Sequence, residues 1–99
     1  MTLAEFKRTT SETKVPSALS PGLRALWHDA KGDWDAAHEV AQNIEGATGA
    51  WIHAYLHRKE RDLANAGYWY RRAGKPECRD SLDAEWEQIA TALLGQAYS

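Results

Sequence analysis

From Pro21 onward, apolar residues recur every three or four positions, and no stretch alternates with period two. That spacing lines apolar side chains along one stripe of an α-helix, whereas a half-buried strand needs strict alternation. Leu23, Leu26, Trp27 and Ala30 mark a first helix, with Ser20 as its N-cap, Pro21 at its first position and Gly32 at its stop. Asp33 caps a second helix with Trp34, Ala37, Val40, Ala41 and Ile44 on one face, and EGATG (Glu45 to Gly49) is expected to break it. A third runs through Trp51, Ile52, Tyr55 and Leu56. Asp62 caps a fourth that turns Leu63, Ala66, Trp69, Tyr70 and Ala73 inward, and Gly74 and Pro76 end it. The last helix is predicted from Asp80 or Ser81 to about Gly95, with a seam of Leu82, Trp86, Ile89 and Leu93. Upstream, Thr2-Leu-Ala-Glu5 is a capping box able to start a short helix, but Thr9 to Ser20 has no periodicity. The expectation is an all-α protein in which residues 20–99 form a helical repeat domain and residues 1–19 a flexible N-terminal arm.

Sliding Gly22–Glu45 onto Trp51–Gly74, an offset of 29 residues, superposes the two helix pairs without gaps. Ala25 falls on Ala54, His28 on His57, Asp33 on Asp62 and Ala37 on Ala66, and the apolar positions agree. The predicted architecture is therefore two tandem helix-turn-helix units, stacked right-handed, plus a C-terminal capping helix. GDWDAAHEVAQNI and RDLANAGYWYRRAGKP resemble the second half of tetratricopeptide-type repeats: Asp62, Ala66, Tyr70 and Ala73 keep that spacing, and the first copy keeps Gly32, Asp33 and Ala37. The chain departs from the pattern in having Arg61 at the turn glycine and a period of 29, where the family has 34. HAYLHRKE…NAGYWYRRAGKP also resembles a small group of uncharacterised proteins with the same helical core, which implies no activity. The tetratricopeptide-like resemblance implies a groove, formed by the first helix of each pair, that holds a protein or peptide.

Ninety-nine residues suffice for one domain without metal or disulfide support, and the single cysteine, Cys78, has no internal partner. No apolar run reaches membrane-span length, and acidic Glu5 interrupts any signal-peptide pattern, so a cytoplasmic protein with no membrane contact is expected. The formal net charge of −2 predicts no general attraction to nucleic acid. Charge is nonetheless uneven: Arg58 to Arg79 holds seven basic residues, while Asp80 to Ser99 has four acids and no base, so the last helix is expected beside the basic segment.

Candidate chemistry centres on the third helix, where His53, His57 and Glu60 share one face. Two helical histidines four apart can ligate zinc, with a carboxylate one turn on as a third ligand. The spacing is common, and Ala54 stands where a metalloprotease glutamate would be. The first helix carries Arg24, His28 and Lys31 at the equivalent places, so the polar wedge belongs to the repeat and either packs between helices or lines a groove. On the fourth helix Tyr68, Arg71 and Arg72 point outward, a patch that stacks on bases or is simply solvated. Asp33 and Asp62 are explained as caps, and Cys78 as an ordinary loop residue. With no phosphate loop and no nucleophile elbow, neither an enzyme nor a cofactor is expected, and no residue is assigned as a metal ligand in the leading reading. The leading expectation is a protein-interaction module whose partner contacts are drawn from Arg24, His28, His53, His57, Tyr68, Arg71 and Arg72. Self-association as a homodimer through the Trp86 helix or the Leu3/Phe6 arm is a variant of it. A small-ligand or metal-binding protein using His28, His53 and His57 is the alternative, and nucleic-acid binding through the Tyr68 patch a weaker one.

Overall fold

Nearly every helix starts where the sequence supplies a side-chain cap. The computed structural model describes residues 1–96, and the expected domain limit at residue 99 lies outside the described residues. Among the described residues the chain is all-helical: α1 (Leu3–Thr9), α2 (Pro21–Ala30), α3 (Trp34–Gln42), α4 (Gly46–Lys59), α5 (Leu63–Ala73) and α6 (Leu82–Gln96). Thr2 and Glu5 form the reciprocal capping box of α1, Ser20 accepts from the Leu23 amide, Asp33 from Ala36 and Asp62 from Asn65. Ser81 Oγ does the same for the Ala84 amide, 3.1 Å away. Each such bond satisfies one of the amides a helix start leaves without a partner, an effect of about 1 kcal/mol. α4 is the exception, because Glu45 makes no capping bond. Here the EGATG segment differs from expectation: its glycines form the first turn of α4, and the break is confined to Asn43–Glu45. Gly49 makes that tight turn fit, since a Cβ there would lie 2.0 Å from the Ile44 carbonyl oxygen.

The helices pair as α2 with α3 and α4 with α5, and α3 against α4 joins the pairs. Small residues permit the close approach: Ala37 and Ala41 of α3 are fully buried. In the α2–α3 turn Gly32 adopts φ +82°, and in the α4–α5 turn Arg61 adopts φ +66°. α6 lies across α2 and α4, inserting Trp86, Ile89 and Leu93 among Leu23, Leu26, Ile52 and Leu56. Burying side chains of this size contributes about 1.5–3 kcal/mol each, which makes this the dominant core. A smaller cluster of Ala54, Ala66 and Tyr70 fills the α4–α5 seam.

Three expectations change. The segment 1–19, expected as a flexible arm, is tied to the bundle at three points although most of its residues are exposed: Phe6 of α1 is fully buried and stacks on Trp86 at 5.4 Å, Trp27 Nε1 donates to the Thr9 carbonyl, and Lys31 Nζ to that of Glu12. Phe6 and Trp86, considered for self-association, are thus used on each other. The face formed by the first helices of the two pairs, expected as an open groove, is covered by α6, with Trp86 Nε1 donating to the Leu26 carbonyl at 3.0 Å. Leu63, expected inward, is 65% exposed. The acidic α6 does meet the basic segment, through Arg58 and Glu85 at 2.9 Å. No described helix is long and apolar enough to cross a membrane.

Candidate metal centre

The junction of α3, α4 and α5 gathers three histidines and two tryptophans. Trp34 fixes the α3 side by donating its indole N–H to the Leu56 carbonyl of α4 at 3.0 Å. One turn along, His38 stacks on the Trp34 ring at 4.8 Å and so points at α4. There His53 and His57 present their rings edge-on to His38, with centroids 4.8 and 5.6 Å from it. From the far side, Trp69 of α5 stacks on His53 at 4.2 Å. The two indoles thus hold two of the imidazoles in place without consuming their nitrogens.

One ring nitrogen from each of His38, His53 and His57 lies within 4.8 Å of the others. His53 is 6% exposed and the His57 side chain 12%. Nδ1 of each is buried with no hydrogen-bond partner. The nearest acid to His57 Nδ1 is Glu60, at 3.7 Å and too long for a hydrogen bond. Buried polar atoms are normally paired, and leaving one unpaired costs about 1–3 kcal/mol. Burial, and then the charges His38 and His57 would carry, push the His53 pKa down to about 4. At neutral pH its imidazole is therefore neutral, with a lone pair available.

The donor set suits zinc or a neighbouring first-row ion, which imidazole nitrogens bind at about 2.0–2.1 Å. Tetrahedral angles at that length separate ligand nitrogens by about 3.4 Å. A cluster already within 4.8 Å reaches this by inward ring movements on the order of 1 Å, which side-chain rotation supplies. Among the described residues no cysteine or carboxylate joins the three histidines, so protein donors fill three positions.

The residues considered from sequence divide sharply. His53 and His57 converge as their i, i+4 spacing allows. His28 is not in the group; it sits half buried against the edge of Trp27 at 5.2 Å. Arg24 is likewise not brought to the cluster. Tyr68 is 43% exposed and accepts from Arg72 at 2.8 Å, while Arg71 is exposed. The Arg72 guanidinium lies over both the Tyr68 and Trp69 rings, 5.6 and 5.2 Å from their centroids. His38 is the residue that reading the sequence missed. Its signal was present: it lies four residues after Trp34, on the face of the second helix that must meet the third.

Two other buried polar centres are complete. Glu85, 1% exposed, accepts from Arg58 Nη1 at 2.9 Å, from the Tyr70 hydroxyl and from Trp51 Nε1 at 3.3 Å. Asp29, 4% exposed, accepts from the Tyr55 hydroxyl at 2.6 Å and Lys59 Nζ at 2.9 Å. Burial and these carboxylate acceptors raise both tyrosine pKa values, so the hydroxyls keep their protons. Burial opposes the Arg58 charge, but its bond to Glu85 outweighs that and raises its pKa. The chain matches no family model, no curated protein and no solved structure.

Proposed function

We propose that this protein binds a first-row divalent metal ion, zinc foremost, between its two helix pairs through His38, His53 and His57. The observation that carries this is the convergence of three imidazoles whose buried Nδ1 atoms, on His53 and His57, lack any partner. A metal supplies what the fold leaves unsatisfied, and it ties α3 to α4. Binding rather than turnover is the role proposed, in the reducing cytoplasmic setting that a lone thiol suits. The test is calorimetric titration of zinc into chelator-treated protein. One site per chain is expected in the wild type, no saturable binding in His38→Ala, and unchanged binding in His28→Ala. Binding that survives His38→Ala overturns the proposal.

A second reading, a protein-interaction module, is favoured by one observation: Leu63 and Tyr68 stand 65% and 43% exposed on α5. We infer that the two helix pairs are copies of one tetratricopeptide-like unit. The matched turns support this, with Asp33 and Asp62 as N-caps at nearly equal dihedral angles and the preceding residues, Gly32 and Arg61, both at positive φ. In such a stack Leu63 holds the place that Trp34 uses to dock on the next pair, so a protein partner or a second copy would dock at α5 and not in the α2–α4 face. Loss of association in Leu63→Asp, measured by sedimentation across a concentration series, tests the homodimer. Nucleic-acid binding through Tyr68, Arg71 and Arg72 has less support, because the chain carries a net charge of −2.

A further inference from the structure

We propose that the metal bound at the three histidines takes its fourth ligand from outside the protein, and that this ligand is a small monocarboxylate held between the metal and Arg72. The inference rests on the metal-binding reading and adds to it the chemistry of the open position.

Charge gives the first reason. Three neutral imidazoles bring no charge against the +2 of the ion, in a site where His53 is 6% exposed, and Glu60, 3.7 Å from His57 Nδ1 but 46% exposed, offsets it only in part. An uncompensated buried charge is costly, so the open position favours an anion over water. Among the described residues no carboxylate joins the ligand group to supply one.

Access gives the second. A cleft of about 360 Å³ opens beside the cluster, lined by Gln42, Glu45, Gly49, His53, Trp69 and Arg72 among others. Of the three ligand histidines His53 lines the cleft, beside the Trp69 ring that stacks on it, so the cleft meets the cluster at His53. Its size is at the small end of ligand pockets, which run from about 300 to 1,000 Å³.

The lining specifies the ligand. Arg72 is stationed by cation–π contact with Trp69 and by one hydrogen bond to Tyr68, and a guanidinium has five N–H donors with which to meet a planar carboxylate. Gln42 adds an amide, and Trp69 with Ile44 gives a short apolar body a surface to lie on. Glu45, in the same lining, opposes a second negative charge and so disfavours phosphate against a monoanion.

The experiment uses the full chain loaded with Co²⁺, whose visible absorption reports its coordination, titrated with acetate as the probe. A saturable change in the cobalt bands is expected. Arg72→Ala should raise the acetate concentration for half-saturation about tenfold, with Arg72→Lys between, and phosphate at equal ionic strength should act more weakly. Arg72 is exposed, so its variants should fold, which circular dichroism checks. If Co²⁺ itself does not bind, the metal-binding reading fails. If Co²⁺ binds but its bands ignore acetate, or Arg72→Ala responds like wild type, the metal reading stands and the open-site inference is overturned.

Discussion

Two of the buried polar centres that α4 borders have opposite characters. On one side Glu85 is enclosed by Arg58, Tyr70 and Trp51, and both its oxygens accept hydrogen bonds. On the other, His53 and His57 are enclosed by rings, and each keeps a buried nitrogen without a partner. A completed network of this kind fixes how helices sit, here α6 on α4 and α5, and asks for nothing further. An incomplete one carries a standing cost that the rest of the fold must offset, which is the mark of a site built for something that arrives later. The first centre serves stability and the second is the one proposed to bind, and this division can be broken experimentally.

The largest effect is expected from Glu85→Ala. It strands the Arg58 charge, which is only 17% exposed, together with the Tyr70 hydroxyl. Breaking a buried ion pair from one side costs about 3–5 kcal/mol, to be read as a fall in the urea midpoint. If the variant remains folded, its zinc affinity should match wild type; a parallel loss of affinity would erase the distinction between the two centres. Next comes zinc itself. At a free concentration of about 100 times Kd it should stabilise the wild type by about 2.7 kcal/mol, and His38→Ala should lose that increment entirely. The metal-free stability of His38→Ala should change far less, since the histidine's nitrogens are not holding the fold.

Acid separates the centres more gently. The folded-state pKa of His53, about 4, lies below its ordinary 6.5. Between those values the unfolded chain takes up a proton that the folded chain refuses, so stability is full above pH 6.5 and declines as pH falls toward 4. In chelator, His53→Leu should melt with a shallower loss between pH 7 and pH 4 than wild type, and the difference between the two curves isolates this residue from the carboxylates. Equal slopes would show that His53 is not the buried neutral base described above.

Local features were legible in the sequence. Ser20, Asp33, Asp62 and Ser81 act within four residues of themselves, and so do the turns they follow. What escaped depends on which faces meet. Phe6 looked like part of a loose arm because its partner, Trp86, is eighty residues away. Nothing local states that α6 will lie across α2 and α4. His38 escaped for a related reason: comparison of the two helix pairs draws attention to histidines that repeat, His28 and His57, and His38 corresponds to Gly67. The junction between the pairs occurs only once, however, so a site built there combines non-equivalent positions and is hidden from a search for repetition. Leu63 misled in the same way, since its counterpart Trp34 has a following helix pair to dock on, and among the described residues no second pair follows Leu63.

The smallest effect belongs to a place where the two halves ought to behave alike. Gly32 and Arg61 hold the corresponding turns, at φ +82° and +66°. Glycine tolerates this left-handed conformation, whereas a residue with a Cβ is strained there by about 1–2 kcal/mol. Arg61→Gly relieves the strain but frees the unfolded chain, which returns about 0.4–1 kcal/mol. The balance predicts a gain of about 0.5–1 kcal/mol, visible as a higher urea midpoint, with Gly32→Arg losing a similar amount. Because Arg61 is exposed and not among the three histidines proposed to hold the metal, zinc affinity should not move. A loss of stability in Arg61→Gly would mean instead that the arginine side chain contributes contacts worth more than the strain, and that the two turns, though alike in backbone, are held for different reasons.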